Sequence, residues 1–159
     1  QFMSMGRSLE QVDMTSRLVA SASLTHGGTQ WPAVLRGCGG HDAFLRTYGG
    51  LYTYREAAEF LIVDARFPRS IMHGLLAASD SLHKVAQNNA VTARHAEPAL
   101  RSLGQLRARL EYADLDELRA NLNQEMSVVQ DVVAQVSIAI ATSYFAAADP
   151  TSWTTEGTR

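Results

Sequence analysis

Two groups of charged residues in this 159-residue chain have the types and spacing to bind a small polar molecule. The first lies in residues 60–75, "FLIVDARFPRSIMHGL", where Asp64, Arg66 and Arg69 surround a proline between two apolar stretches. An arginine guanidinium binds a carboxylate or a phosphate through paired N–H bonds. The bend is therefore predicted to be either a helix corner held by ion pairs or a recognition surface for an acidic group.

The second group lies on the first predicted helix, where Glu10, Asp13 and Arg17 fall between two apolar sides, with Arg7 at the margin. Their spacings of three and four residues allow ion pairs from Arg7 to Glu10 and from Asp13 to Arg17. Charges inside a bundle require partners. The pattern favours an ion network that joins two helices; the alternative is a site for a carboxylate or phosphate. His73, after the bend, is a further binding candidate.

No metal or cofactor site is predicted from the sequence. Glu-x-x-His, which di-iron bundles use, is absent, and the five histidines lie on different segments without paired ligand spacing. The glycines of "RGCGGHD" do not follow a strand, so no phosphate loop or dinucleotide fingerprint is indicated. Cys38 is interpreted as a buried cysteine in a glycine-rich helix contact, because reactive thiols need an accessible and electropositive setting.

Composition limits the class of partner. The formal net charge is −2, and the arginines near residue 105 are followed directly by acidic residues, so nucleic acid is not expected as a partner. Polar residues at 130, 131 and 135 interrupt the longest apolar run, so no membrane span is predicted. The single cysteine excludes an internal disulfide and favours a cytoplasmic protein.

Hydrophobic periodicity predicts an all-α fold, an antiparallel bundle of about six helices with a long last helix. The predicted segments are 2–24, 31–50, 54–64, 68–87, 97–112 and 114–145. Glycines weaken the middle of the second segment, and the fourth is expected to begin with Pro68 in its first turn. The stretch "NNAVTA" is predicted to be a loop. The domain is expected to cover 1–146, with a flexible tail at 147–159.

Five stretches carry a resemblance to a known family. "GRSLEQVDMTSRL", "W..VLR..G...AFLRTY", "AAEFLIVDARFPRSIMHGLLAASDSL", "LGQLRARLEYADLDEL" and "VSIAIATSYF" occur in the order seen in the bacterial alpha-E domain family. "FLIVDARFPRSI" is the most specific of them. The chain is most similar to actinobacterial members and resembles the C-terminal half of a longer domain.

The resemblance implies a predicted helical domain with a Glu-Arg motif, which falls here on Glu10 and Gln11, so the arginine is replaced. Family members occur beside or fused to a circularly permuted ATP-grasp domain. The resemblance therefore implies a non-catalytic module that binds an ATP-grasp amide ligase, in cis or in trans, and helps to hold a peptidic or acidic substrate. One alternative is a catalytic domain for amide transfer with Glu10 or Asp13 as general base; another is a structural bundle that forms a homo-oligomer.

Overall fold

The computed structural model of the chain describes residues 1–24, 30–49 and 53–145. Within these residues it contains eight α-helices and no strand, which confirms the all-α class. The helices are α1 (Phe2–Ser23), α2 (Trp31–Gly37), α3 (His41–Tyr48), α4 (Tyr54–Ile62), α5 (Ile71–Ala86), α6 (Ala90–Glu111), α7 (Leu115–Ala120) and α8 (Leu122–Phe145). The predicted tail lies outside the described residues.

Four long helices form an antiparallel bundle. Helix α1 packs between α5 and α8, and α6 closes the bundle against the same two helices. The direction of α8 relative to α1 is set at one end, where the rings of Phe2 and Tyr144 lie 5.0 Å apart. The Tyr144 hydroxyl also donates a hydrogen bond to the carbonyl of Thr92 near the start of α6. These contacts bring the first residues of α1 and α6 beside the last residues of α8.

The short helices α2, α3 and α4, called the cap below, connect α1 to α5 and bury Trp31, Phe44 and Phe60. The glycines between α2 and α3 both break the helix and permit close packing. Gly39 has a φ of +62°, a conformation that costs glycine little. A Cβ on Gly40 would lie 2.8 Å from Cζ of Phe67. The cap therefore fits tightly against the bend that precedes α5.

The fourth predicted helix begins three residues later than expected, at Ile71 instead of Pro68. Ser70 is the N-cap: its buried Oγ accepts a hydrogen bond from the amide of His73 at 3.0 Å. The same hydroxyl donates to the carbonyl of Asp64 at 2.7 Å. Pro68 consequently lies in the turn before the helix, and the first-turn amide of His73 is already occupied.

Two other predicted boundaries are wrong. The stretch expected to be a loop opens α6, because Asn89 and Thr92 form a capping box in which each side chain bonds the other residue's backbone amide. The last predicted helix is divided at Asn121 into α7 and α8. By length and composition alone, α8 is long and apolar enough to cross a membrane, a test that core helices of bundles also pass. Its stripe of buried residues packs against α1 and α6 as a bundle helix.

Helix α1 buries only one of its two apolar sides. Leu9, Val12 and Val19 belong to the core, whereas the Met3 and Met14 side chains are 75% and 50% exposed. One of the two apolar sides of the first predicted helix therefore stays exposed in the described part of the chain. The outward side of α1 carries methionines and charged residues together.

Candidate functional site

Six of the residues proposed from the sequence line two grooves on opposite sides of α1. The basic groove lies between α1 and α5 and has a volume of about 590 Å3; Arg7, Gln11, Arg69 and His73 line it. The acidic groove lies between α1 and α8 and has a volume of about 410 Å3; Glu10, Asp13, Arg17 and Gln130 line it. Neighbouring residues of one helix therefore serve two separate surfaces.

The basic groove has an unbalanced charge. Its remaining lining residues are small, polar or apolar, and none of those that line it is an Asp or Glu. Among the described residues, no salt bridge involves Arg7 or Arg69. The groove thus presents two guanidinium groups that no carboxylate neutralises, which is the setting that an acidic ligand requires.

Arg69 is held by contacts at both its backbone and its side chain. The Thr15 hydroxyl donates to the Arg69 carbonyl at 3.0 Å and accepts from Nε2 of Gln11 at 3.0 Å. The Arg69 Nη1 atom donates to the carbonyl of Cys38 at 3.3 Å. A Cβ on Gly39 would come within 2.9 Å of the same Nη1, so glycine makes room for the guanidinium. These contacts fix Arg69 between α1 and the cap.

His73 is fixed by the bend itself. Its Nδ1 lies 2.9 Å from the carbonyl of Ala65, so this nitrogen carries a proton and donates. In the described residues Nε2 has no hydrogen-bond partner. The ring therefore lines the basic groove with one nitrogen engaged and the other available to a ligand.

Arg66 and Asp64 form a pair outside the basic groove. The Arg66 side chain is 84% exposed, and its Nε lies 3.3 Å from the Asp64 carboxylate. Partial burial alone would raise the pKa of Asp64, but hydrogen bonds from Arg66 and its positive charge outweigh this and lower the pKa. Both residues line a separate shallow groove with Phe60 and Phe67. Arg66 and Arg69 thus do not share a site.

The acidic groove contains a satisfied ion pair. Nε of Arg17 lies 2.8 Å from the Asp13 carboxylate, and the Arg17 side chain is 65% exposed. This hydrogen bond raises the pKa of Arg17. Glu10 is also exposed, so the expectation that these charges lie inside the bundle is wrong. The Arg17–Asp13 and Arg66–Asp64 pairs each lie within one segment and do not join two helices.

The hypothesis of Glu10 or Asp13 as general base required these residues to meet the arginines of the bend in one cleft. The structure instead places Glu10 and Asp13 on the α8 side of α1 and Arg69 on its α5 side. Arg66 lies in the separate groove beside Asp64. The predicted catalytic and binding residues therefore do not converge on a single cleft in the described part of the chain.

Cys38 is buried, with 1% of its surface exposed, as predicted. Burial raises the pKa of its thiol to about 11, although the Thr15 hydroxyl and the Arg69 charge oppose the change. The thiolate is the reactive form of cysteine. Cys38 is therefore a packing residue of the cap and not a nucleophile at neutral pH.

Sequence reasoning missed the residues that position Arg69 and His73. Thr15, Ser70 and Gly39 carry out this positioning through hydrogen bonds and close contact. A serine three residues before His73 was a readable N-cap signal. The Thr15 contact had no such signal, because it joins residues 54 positions apart.

The sequence model of the Alpha-E family, described as a predicted alpha-helical domain with a conserved ER motif, matches residues 1–145. The chain belongs to the Alpha-E family. No curated protein and no solved structure matches it. Glu10 and Gln11, the two positions to which the sequence resemblance assigns the motif, line the acidic and the basic groove respectively. The two motif positions therefore point to different sides of α1.

Proposed function

We propose that this Alpha-E domain is a non-catalytic helical module of an ATP-grasp amide-ligase system, in cis or in trans, and that its basic groove holds an acidic or peptidic substrate. The observation that carries the proposal is the groove itself, in which Arg7, Arg69 and His73 meet without a neighbouring carboxylate. The family resemblance supplies the expected ligase partner, which works in the cytoplasm, where ATP is available.

The size and charge of the basic groove fit a small carboxylate-bearing molecule. Ligand pockets commonly have volumes of roughly 300 to 1,000 Å3, and this groove has about 590 Å3. Amide ligation begins from a carboxylate, which is the group that arginine binds through paired hydrogen bonds. A held Arg69 and an oriented His73 would fix one end of such a substrate while the ligase acts on another part.

The groove residues support binding better than catalysis. Arg69 is held by neutral backbone and hydroxyl contacts, which position its guanidinium to bind an acidic group. The buried Cys38 thiol is not ionised at neutral pH. Glu10 and Asp13 line the opposite side of α1. The bond-forming step is therefore assigned to the partner.

Binding of a tri-glutamate peptide, measured by isothermal titration calorimetry at low salt, tests the substrate part of the proposal. Arg69→Ala should weaken binding by about 10- to 100-fold, since a hydrogen bond to a charged group contributes ~1.5–3 kcal/mol. Arg94→Ala is the matched control, because Arg94 is an exposed arginine of α6 outside the groove. Equal weakening of peptide binding by both substitutions would show that binding depends only on the net charge of the chain, and it would contradict the proposal.

Coupling to the ligase is tested by ADP release from an ATP-grasp protein with and without the domain. Arg69→Ala should lower the stimulated rate, and Arg66→Ala should leave it unchanged, because Arg66 lies in a separate groove and is paired with Asp64. Circular dichroism must show equal helicity in both variants. An ADP-release rate that is insensitive to the domain would contradict the ligase part, whatever the peptide titration shows.

A further inference from the structure

The outward face of α1 carries four exposed residues in one stripe. Met3 and Met14 are 75% and 50% exposed, and the charged residues between them, Arg7 and Glu10, are also exposed. Their successive spacings of four, three and four residues are those of a coiled-coil seam. Among the described residues, Arg7 and Glu10 form no salt bridge. The α1 seam, defined by these four residues, is thus an apolar and charged face without a partner among the residues that the structure describes.

The seam ends where its charges become satisfied. The next position in the same spacing is Arg17, whose guanidinium is bonded to Asp13 on α1 itself. At the other end of the stripe, Met3 lies in the first turn of α1. The four positions span about three helical turns of α1.

This set is complementary to itself when the helix is reversed. If a second α1 runs antiparallel, with a twofold axis level with the point between Ser8 and Leu9, Met3 of one copy faces Met14 of the other. Arg7 then faces Glu10, and both contacts occur twice because the interface is isologous. In the parallel arrangement Arg7 would face Arg7 and Glu10 would face Glu10.

We propose that two copies of this chain associate through the α1 seam as an antiparallel helix pair, with Met3 against Met14 and Arg7 against Glu10. The residues that flank the seam agree with this register. On the α5 side Ser4 faces Gln11, and on the α8 side Gly6 faces Asp13, so the flanks bring no like charges together.

A second copy matches the seam in the order of its charges and in the position of its apolar ends. An occupant must place an acid opposite Arg7, a base opposite Glu10 and an apolar side chain at each end, and α1 read backwards meets all four demands. Arg7 belongs both to the basic groove and to the seam, so in the dimer its guanidinium faces Glu10 of the second copy, and Arg69 and His73 remain for an acidic ligand of the groove. Arg69→Ala therefore tests the groove without disturbing the proposed pairing.

Analytical ultracentrifugation of the 159-residue chain over a concentration series tests the proposal by charge reversal. Arg7→Glu and Glu10→Arg should each weaken the dimer at least tenfold, which corresponds to ~1.4 kcal/mol, because each places like charges face to face twice. An equimolar mixture of the two variants should form a heterodimer within about threefold of the original affinity. The double reversal in one chain should also restore the homodimer. Circular dichroism checks that each variant is folded.

Cross-linking tests the register. Oxidised glutathione should join a Met3→Cys chain to a Met14→Cys chain in a mixture, whereas Met3→Cys alone should stay uncross-linked, since its two thiols would be about 16 Å apart along the helices. Three results would overturn the proposal: a chain that stays monomeric at ~1 mM, a dimer that survives each single reversal, or a variant mixture that does not associate.

Discussion

The two grooves beside α1 differ in how their charges are held. On the α5 side, Arg69 is bonded to a backbone carbonyl and no described carboxylate neutralises it. On the α8 side, Arg17 is bonded to Asp13 and lies largely in solvent. An arginine near a groove is therefore a binding candidate when neutral backbone atoms position it, because its charge then remains available to a ligand.

The two sides of α1 also differ in how tightly they are packed, and substitutions of glycine on each side should give the largest difference in stability. A Cβ on Gly74 of α5 would overlap Cγ2 of Val12 and lie 3.3 Å from the carbonyl oxygen of Ser8, whereas a Cβ on Gly6, which lines the acidic groove, meets nothing within 4 Å. Gly74→Ala should lower the free energy of unfolding by about 1–3 kcal/mol through overpacking. Gly6→Ala should raise it by up to about 1 kcal/mol through helix propensity.

Urea unfolding of both glycine variants measures this difference. Each substitution adds one methyl group in a helix interior, so the intrinsic gain in propensity is shared and only the surroundings differ. Equal free energies of unfolding for the two variants would show that α1 is packed equally tightly on both sides, contrary to the structure.

Part of this arrangement was predictable from the sequence. The bounds of α1 follow from its periodicity, and the glycines around Cys38 marked the weak point of the second predicted helix, where α2 and α3 separate. The exposed side of α1 was not predictable, because Met3 is as apolar as the buried Met5 and only tertiary packing distinguishes them. Successive residues of a helix point ~100° apart around its axis, so Glu10 and Gln11 can line different grooves. Which groove each of them lines depends on how α1 is rotated relative to α5 and α8, and the sequence of α1 alone does not determine that rotation.

The pH dependence of stability should distinguish Arg66, which is paired with a carboxylate, from Arg69, which is not. This effect is expected to be of intermediate size. The pKa of Asp64 is lower in the folded chain than its ordinary value, so the Asp64–Arg66 pair contributes stability above the unfolded pKa of ~3.9. That contribution is lost as the pH falls through the folded pKa. Arg66→Ala should therefore destabilise the fold at pH 6 and less so at pH 3, as measured by urea unfolding.

Arg69 provides the comparison for this pH series. Because no described carboxylate pairs with Arg69, the destabilisation caused by Arg69→Ala should be the same at pH 6 and pH 3. A cost that shrinks with acid in Arg69→Ala would reveal an acidic partner and remove the main argument for an available charge in the basic groove.

The smallest effect is expected in the acidic groove. Arg17→Ala should leave the free energy of unfolding almost unchanged, because exposed ion pairs four residues apart on a helix contribute little and are screened by salt. Thermal unfolding at low and at high salt measures this. A larger loss would mean that Arg17 supports the α1–α8 contact by its aliphatic stem, which the salt-independent part of the loss would reveal.

Chemical modification of the buried Cys38 thiol can report local opening of the cap. It is the single thiol of the chain, it lies under the contacts of Thr15 and Arg69, and its raised pKa keeps it protonated. Because the sulfur is buried, a dissolved thiol reagent reacts with it only after a local separation of the residues packed around Cys38. The modification rate under native conditions therefore counts such separations, in the way that amide hydrogen exchange counts local unfolding. The Cys38 carbonyl accepts a hydrogen bond from Arg69, so the modification rate of the Cys38 thiol also reports how often the structure around this contact opens.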